Sequence, residues 1–330
     1  MKIHFLIFCL ICNFTYSQIS GCTDAMAKNF NPNATINDGS CSYSKTKLKP
    51  DFSSIISDSI PETSGLIAFD SLLWTHNDDH DTTLYGMDVS GKIRKKITLS
   101  NVINQDWEEI TQDENYIYIG DFGNNYQGNR TNLHILKTNK STIYDQNPKC
   151  DTITFVYENQ TDFSPQASNA TNFDCEAFLV YQDSIYLFTK EWKTQQTTIY
   201  SLPNSTGNHV AKVKASLNTE GLVSGATFMP SQKTIVLCGY SKNGKPFLYL
   251  LYDFKDSDFL SGNKRKINLK IPFHQIEGIA TFDGIHYYLT NEHLQLKPIL
   301  NVPQKLHEIN LSPFLNSFLQ NQKPQPKTIN

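Results

Sequence analysis

The chain has little that would carry it across a membrane, fix it to nucleic acid or mark it with a familiar catalytic signature. Beyond the apolar segment 2–15, no stretch is long and apolar enough to span a bilayer. Lys and Arg number 29 against 32 Asp and Glu, a net charge of -3, and the basic residues are scattered. The electrostatic footprint of a nucleic-acid binder is therefore missing, and the short run Lys264-Arg265-Lys266 reads as a solvated outer strand. There is no Gly-x-Ser-x-Gly elbow, no His-Glu-x-x-His helix and no Gly-rich phosphate loop, which removes the enzyme classes that such local motifs announce. Cysteine is scarce as well, at 7 in 330 residues.

What is present begins with Lys2, the apolar segment behind it and Thr15-Tyr16-Ser17. This is the pattern of a secretory signal peptide over 1–17, cleaved near Ser17. A lipoprotein anchored through Cys12 is the alternative, although Ile11 is larger than an attachment site favours. In the oxidising exterior or periplasm the remaining cysteines can pair. Cys22 with Cys41 is the first expectation and Cys150 with Cys175 the second, while Cys238 sits in an apolar strand as a buried thiol. Residues 18–42 form a small Cys-flanked module, too polar to bury a core without a disulfide or a metal. Asp24 and Asp38 are two carboxylates toward a Ca²⁺ that takes six to eight oxygens. The module resembles a short Cys-flanked element of secreted bacterial proteins. A linker at 43–50, a main domain over 51–315 and a flexible tail over 316–330 complete the division.

Within 51–315 a short pattern recurs: Ser64-Gly65-Leu66, Glu108-Glu109-Ile110, Glu176-Ala177-Phe178, Ser224-Gly225-Ala226 and Glu277-Gly278-Ile279. Each copy is followed about ten residues later by an apolar run, such as Ile117-Tyr118-Ile119 or Ile185-Tyr186-Leu187. Third and fourth strand candidates then follow, up to Arg265 to Ile271. Repetition of strand-forming units at this period predicts an all-β, five-bladed β-propeller, each unit one blade with its first strand lining a central channel. The intervals are 44, 68, 48 and 53 residues, and the long second one holds either a loop over 160–172 or a sixth, degenerate blade. The last unit lacks an outer strand, which Phe52 to Ile56 can supply to close the ring.

If the ring closes, Ser64, Glu108, Glu176, Ser224 and Glu277 converge on one axis. Three carboxylates crowded there repel one another. A Ca²⁺ ion, content with irregular all-oxygen shells, removes that penalty, whereas Zn²⁺ finds neither the His nor the Cys it prefers. The competing view is that these side chains only hydrogen-bond the backbone of neighbouring blades.

The Ser, Glu, Glu, Ser, Glu pattern is similar to that of the calcium-activated nucleotidase (apyrase) family, whose five-bladed propellers hold a central Ca²⁺ through Ser and Glu. The Tyr118 to Asn125 stretch with Arg130, and strands of the Glu277-Gly278-Ile279 type, look like the SdiA-regulated and phytase-like esterase propellers of secreted bacterial proteins. The first resemblance implies a Ca²⁺ hub and a phosphoric ester or anhydride hydrolase. It weakens at His80, which stands where that family pairs its acidic loop with an Arg.

Four loops are rich in functional groups: Asn77 to Asp81, Asp121 to Arg130, Lys190-Glu191-Trp192 and Asn291-Glu292-His293. Arg and Lys beside carboxylates can clamp an anion, and His80 or His293 can act as a base near neutral pH. Polar turns and a bracing Asp121 and Arg130 pair explain the same residues structurally. The favoured reading is a monomeric, secreted, calcium-stabilised binding platform for a small anionic or glycan ligand or a protein partner. The alternative is a Ca²⁺-dependent phosphohydrolase or esterase using Asp78, Asp121, Arg130, Lys190 and Glu292.

Overall fold

The computed structural model describes residues 18–79 and 81–322. The signal-peptide reading of 1–17 and the base assigned to His80 lie outside the described residues. Four short strands come first: β1 (Ser20–Gly21), β2 (Ile36–Asn37), β3 (Thr46–Leu48) and β4 (Phe52–Ile55). The chain then runs antiparallel through β5 (Thr63–Phe69), β6 (Leu72–Asn77), β7 (Thr83–Met87) and β8 (Ile93–Thr98). The same meander recurs in β9 (Trp107–Gln112), β10 (Tyr116–Asp121), β11 (His134–Asn139) and β12 (Cys150–Tyr157). It recurs again in β13 (Cys175–Tyr181), β14 (Ser184–Thr189), β15 (Thr197–Pro203) and β16 (Gly207–Leu217), and in β17 (Leu222–Met229), β18 (Thr234–Tyr240), β19 (Pro246–Tyr252) and β20 (Asn263–Leu269). The last meander is β21 (Ile276–Thr281) and β22 (His286–Asn291), then, past the hairpin β23 (Leu294–Leu296) and β24 (Leu300–Val302), β25 (Lys305–Asn310).

The last meander is completed by β4, which pairs antiparallel with β25 through Glu308↔Phe52 to Lys305↔Ile55. The first strands of the meanders pack against one another in the order β5, β9, β13, β17, β21 and back to β5. The architecture is thus all-β and propeller-like. Apolar faces of adjacent meanders bury each other: Trp74, Trp107 and Ile119 lie between the first and second, and Phe122, Phe155 and Phe178 between the second and third. Outer strands β12 and β16 also pair in parallel, joining two meanders into one eight-stranded sheet. Within the long second interval, residues 160–172 form no strand.

Several expectations change. Cys22–Cys41 is a disulfide, but Cys150 and Cys175 are free; they sit in different clusters between meanders. Cys238 is a buried free thiol. Part of the linker becomes β3, which pairs in parallel with β20 and covers its edge. Residues 316–322 belong to helix α1 (Ser312–Gln322) rather than to a flexible tail. Phe314, Leu315 and Phe318 fall one helical face apart and are buried on the fourth and fifth meanders. Asp24 is held by hydrogen bonds. Its carboxylate accepts from the Tyr43 and Tyr252 hydroxyls at 2.8 and 2.7 Å and from Ser317 at 3.0 Å, fastening the disulfide segment to β19 and α1.

Candidate functional site

The recurring tripeptide marks a repeated backbone feature. On β9, Glu109 pairs with Gly120 and Trp107 with Asp121, so Glu108 is an extra residue facing no partner. Glu176, Ser224 and Glu277 are extra residues in the same way on β13, β17 and β21. On β5 the slip falls between Ser64 and Ile67, where Gly65 takes φ +65. A Cβ on Gly65 would stand 2.5 Å from the Ile110 amide nitrogen, so glycine is required by conformation and by space alike. A bulge re-aims the side chain it carries, and on β9 it lets the adjacent Glu108 and Glu109 reach two different layers at the centre of the ring.

The lower layer is tied by a residue the sequence reading passed over. Glu109 is fully buried, and its carboxylate accepts from the amides of Ile110 at 3.0 Å, Leu66 at 3.3 Å and, across the ring, Ala226 at 2.8 Å. Burial pushes its pKa well above the ordinary carboxylate range, against the pull of those three amides. The Ser64 hydroxyl donates to the Glu108 carbonyl oxygen at 2.7 Å, and that of Ser224 to the Ile276 carbonyl oxygen at 2.5 Å. Both serines therefore join neighbouring inner strands through the backbone.

The upper layer is a cavity of about 250 Å³ lined by Asp78, Asp106, Glu108, Glu176, Lys190, Glu277 and Glu292, with Asn125, Asn169 and Gln275 at its sides. Of the predicted residues, the structure brings Glu108, Glu176, Glu277, Asp78, Lys190 and Glu292 together here. Ser64, Ser224, Asp121 and Arg130 do not line it. Arg130 binds Asp121 at 2.7 Å and the Gly123 carbonyl oxygen, and comes within 3.9 Å of Asp106 from behind. His293 is exposed and bonded to Asn301 at 2.7 Å.

Lys190 supplies the one cation among the described residues lining the cavity. It is 3 % exposed, paired with Glu176 and 4.0 Å from Glu277. Its ammonium lies about 5 Å from the ring centres of both Trp192 and Tyr240. Burial works against its charge, but Glu176 and Glu277 outweigh that and hold its pKa well above the usual value. One lysine does not balance the remaining acids. Burial raises Glu277 and Glu292 to about 8, the latter with help from Asp78. Asp78 itself rises to about 8 through burial and Glu62, and Asp106 to about 6 through burial and Asp174. Oxygen atoms of Glu108, Asp174 and Glu176 lie within 4.8 Å of one another, all three residues buried. Asp174 also accepts from the Asn124 amide at 2.8 Å and the Trp192 indole at 2.7 Å.

A signal for these further acids stood in the sequence. Two residues before each marked position come Glu62, Asp106, Asp174, Leu222 and Gln275. Of the polar members of this second series, which stand just before their strands, Asp106 and Gln275 line the cavity, and Asp174 approaches it through Glu108 and Glu176. Leu222, the apolar member, opens instead onto an adjoining pocket of about 940 Å³ that shares Asn169, Trp192, Tyr240 and Gln275 with the acidic cavity.

No protein-family model and no curated protein matches the chain. Among solved structures it is similar to the PQQ-bound form of an aldose sugar dehydrogenase from Streptomyces coelicolor, at 9% identity and TM-score 0.41, over 78% of this chain and 98% of that one. It is also similar to an exo-β-1,3-galactanase from Phanerochaete chrysosporium, at 9% identity and TM-score 0.47, over 80% of this chain and 64% of that one. At such values neither likeness bears on activity, and the architecture rests on the strand pairing.

Proposed function

We propose that the chain is a secreted, five-bladed propeller that holds Ca²⁺ in the upper layer of its channel and uses it to capture a ligand at the channel mouth. The observation that carries this reading is the buried cluster of Glu108, Asp174 and Glu176, whose oxygens approach within 4.8 Å, beside Glu277 and with Lys190 as counter-charge. The oxygen donors fit the ion: the carboxylates and side-chain amides of the cavity, which it shares with Lys190, Trp192 and Tyr240, are the ligands of a hard cation with irregular coordination. Glu108, Glu176 and Glu277 would hold it, with Asp174 as a further ligand. The ion would then present open positions to an oxygen-bearing ligand. Ser64 and Ser224, engaged with backbone carbonyls, set the spacing of the strands that carry those carboxylates. The Cys22–Cys41 disulfide supports an oxidising compartment.

Calorimetric titration of chelator-treated protein with Ca²⁺ tests the reading. Binding at micromolar Ca²⁺, weakened at least tenfold in Glu176→Gln, is expected. An absence of binding at millimolar Ca²⁺ refutes it.

A second reading, Ca²⁺-dependent hydrolysis of a phosphate or carboxylate ester, is favoured by one observation. Asp78 and Glu292 line the same cavity with carboxyl pKa values raised to about 8, suited to donating a proton near neutral pH. Lys190 would meet the developing negative charge, while Asp121 and Arg130 brace Asp106. Turnover of aryl phosphates, nucleotides or inositol phosphates that needs Ca²⁺ and is lost in Glu292→Gln would establish it. Inert substrates leave the protein a binder.

A further inference from the structure

We infer that the ligand of this site is an amphiphile, with a compact oxyanion head directed to the acidic cavity and an apolar body lying in the adjoining pocket. The inference rests on the calcium reading for its head and on a separate set of residues for its body. The larger pocket, about 940 Å³, is walled by Leu222, Phe273, Leu294, Leu296, Ile299 and Leu300, and joins the acidic cavity across Trp192 and Tyr240. Its volume is that of a site for a molecule of some tens of heavy atoms.

Two features distinguish it from an ordinary surface hollow. The first is exposure: Ile299 is 90%, Leu296 57% and Phe273 48% exposed, all on segments at the channel mouth. Apolar area held in water beside a buried polar centre is stabilised when a ligand covers it. The second is its direction. Of the five residues in the series beginning at Glu62, the pocket is lined by Leu222, the apolar one, and by Gln275, where it meets the acidic cavity. Asn169, Ser241, Lys242, Asn243 and Gln275 are the polar members of a lining that is otherwise mainly apolar, so an apolar body is better matched to it than a sugar. The aromatic pair at the junction is already occupied from below by the Lys190 ammonium. This argues for an anionic rather than a cationic head.

Straight-chain alkyl phosphates of four to ten carbons, titrated below their micellar concentrations, test this with Ca²⁺ and again with chelator. Each added methylene is expected to tighten binding about threefold to fourfold until the pocket is full. Leu296→Asp and Phe273→Asp, both at exposed positions, should flatten that dependence while leaving the melting temperature in place. A chain-length dependence that persists unchanged in chelator, with no gain from Ca²⁺, upholds the pocket and overturns the metal reading. A gain from Ca²⁺ that is equal at every chain length upholds the metal and overturns the amphiphile. Alkylammonium ions binding more tightly than alkyl phosphates in Ca²⁺ buffer would overturn the oxyanion head.

Discussion

Adjacent residues Glu108 and Glu109 should respond to the same substitution with opposite signs. Glu109 satisfies three buried amides, those of Leu66, Ile110 and Ala226. Removing a partner leaves each donor orphaned at a cost of about 1–3 kcal/mol. Glu109→Ala therefore forfeits on the order of 3–9 kcal/mol, partly offset because a carboxyl with a raised pKa no longer has to be buried. Glu109→Gln is milder. Its carbonyl oxygen can keep Leu66 and Ile110, but its amide nitrogen then faces the Ala226 amide, donor against donor, for about 1–3 kcal/mol. Glu108 instead lies among Glu176, Asp106 and Asp174, which raise its pKa well above normal after burial itself. In Ca²⁺-free protein Glu108→Gln removes a repelling charge and should be neutral or stabilising. Urea unfolding at pH 7 in chelator, followed by tryptophan fluorescence, measures all three. The division into two layers is wrong if Glu109→Gln is as stable as the parent, or if Glu108→Gln loses more than Glu109→Gln.

Other perturbations follow from the same geometry. His307 bonds Ser53 of the closing strand at 2.7 Å and Asn291 at 2.9 Å, and burial depresses its pKa to about 3; His76 is likewise held at about 4. Both are below the unfolded value near 6.5, so their contribution is intact above that pH and is lost as pH falls toward 4. Acid melting should be delayed in His307→Gln, and an unchanged acid midpoint excludes this cause. Glu277 and Glu292 shift the other way, to about 8. Acids raised in the folded state favour it at low pH, so chelated protein should lose stability as pH rises from about 4.5 through 8, a loss that Ca²⁺ reverses; a melting temperature flat over that range refutes it. Reducing Cys22–Cys41, a separation of 19 residues, should weaken its segment by about 3 kcal/mol, read as faster amide exchange over 20–43 with β5 and β9 unaffected.

The strand order was legible because inner strands repeat a pattern that outer strands do not. The same is true of the closing role of Phe52 to Ile56, since the last unit visibly lacked an outer strand. The choice of side chain within Glu108-Glu109 was harder. Simple alternation sends neighbouring residues to opposite faces, but one extra residue in the strand lets both carboxylates point inward at different heights. Asp106 and Asp174 were missed although their two-residue offset from Glu108 and Glu176 was readable. Lys190 was noticed as a loop residue, but its place as the internal counter-ion depends on the approach of β13 and β14 to β21, which no local pattern encodes. Helix α1 was lost in a polar tail because Phe314, Leu315 and Phe318 fill one face only when β20 and β25 are there to receive it.

The bulge explains why one short repeat serves both layers. If each inner strand ran regularly, a single set of side chains would line the channel, and the groups that tie the strands would compete with those that meet a ligand. On β9 the extra residue separates these duties between Glu108 and Glu109, about one residue's rise, 3.3 Å, apart. Glu109, Ser64 and Ser224 then fasten the ring by neutral or amide-satisfied contacts that need no ion. The upper carboxylates are left crowded, with pKa values raised by burial, and beside the apolar pocket. Clustered acids there destabilise the fold, so closure cannot be what keeps them. The proposed ion and ligand at the mouth would account for them, and on that proposal loss of the ion should cost the protein its ligand before it costs the ring its closure.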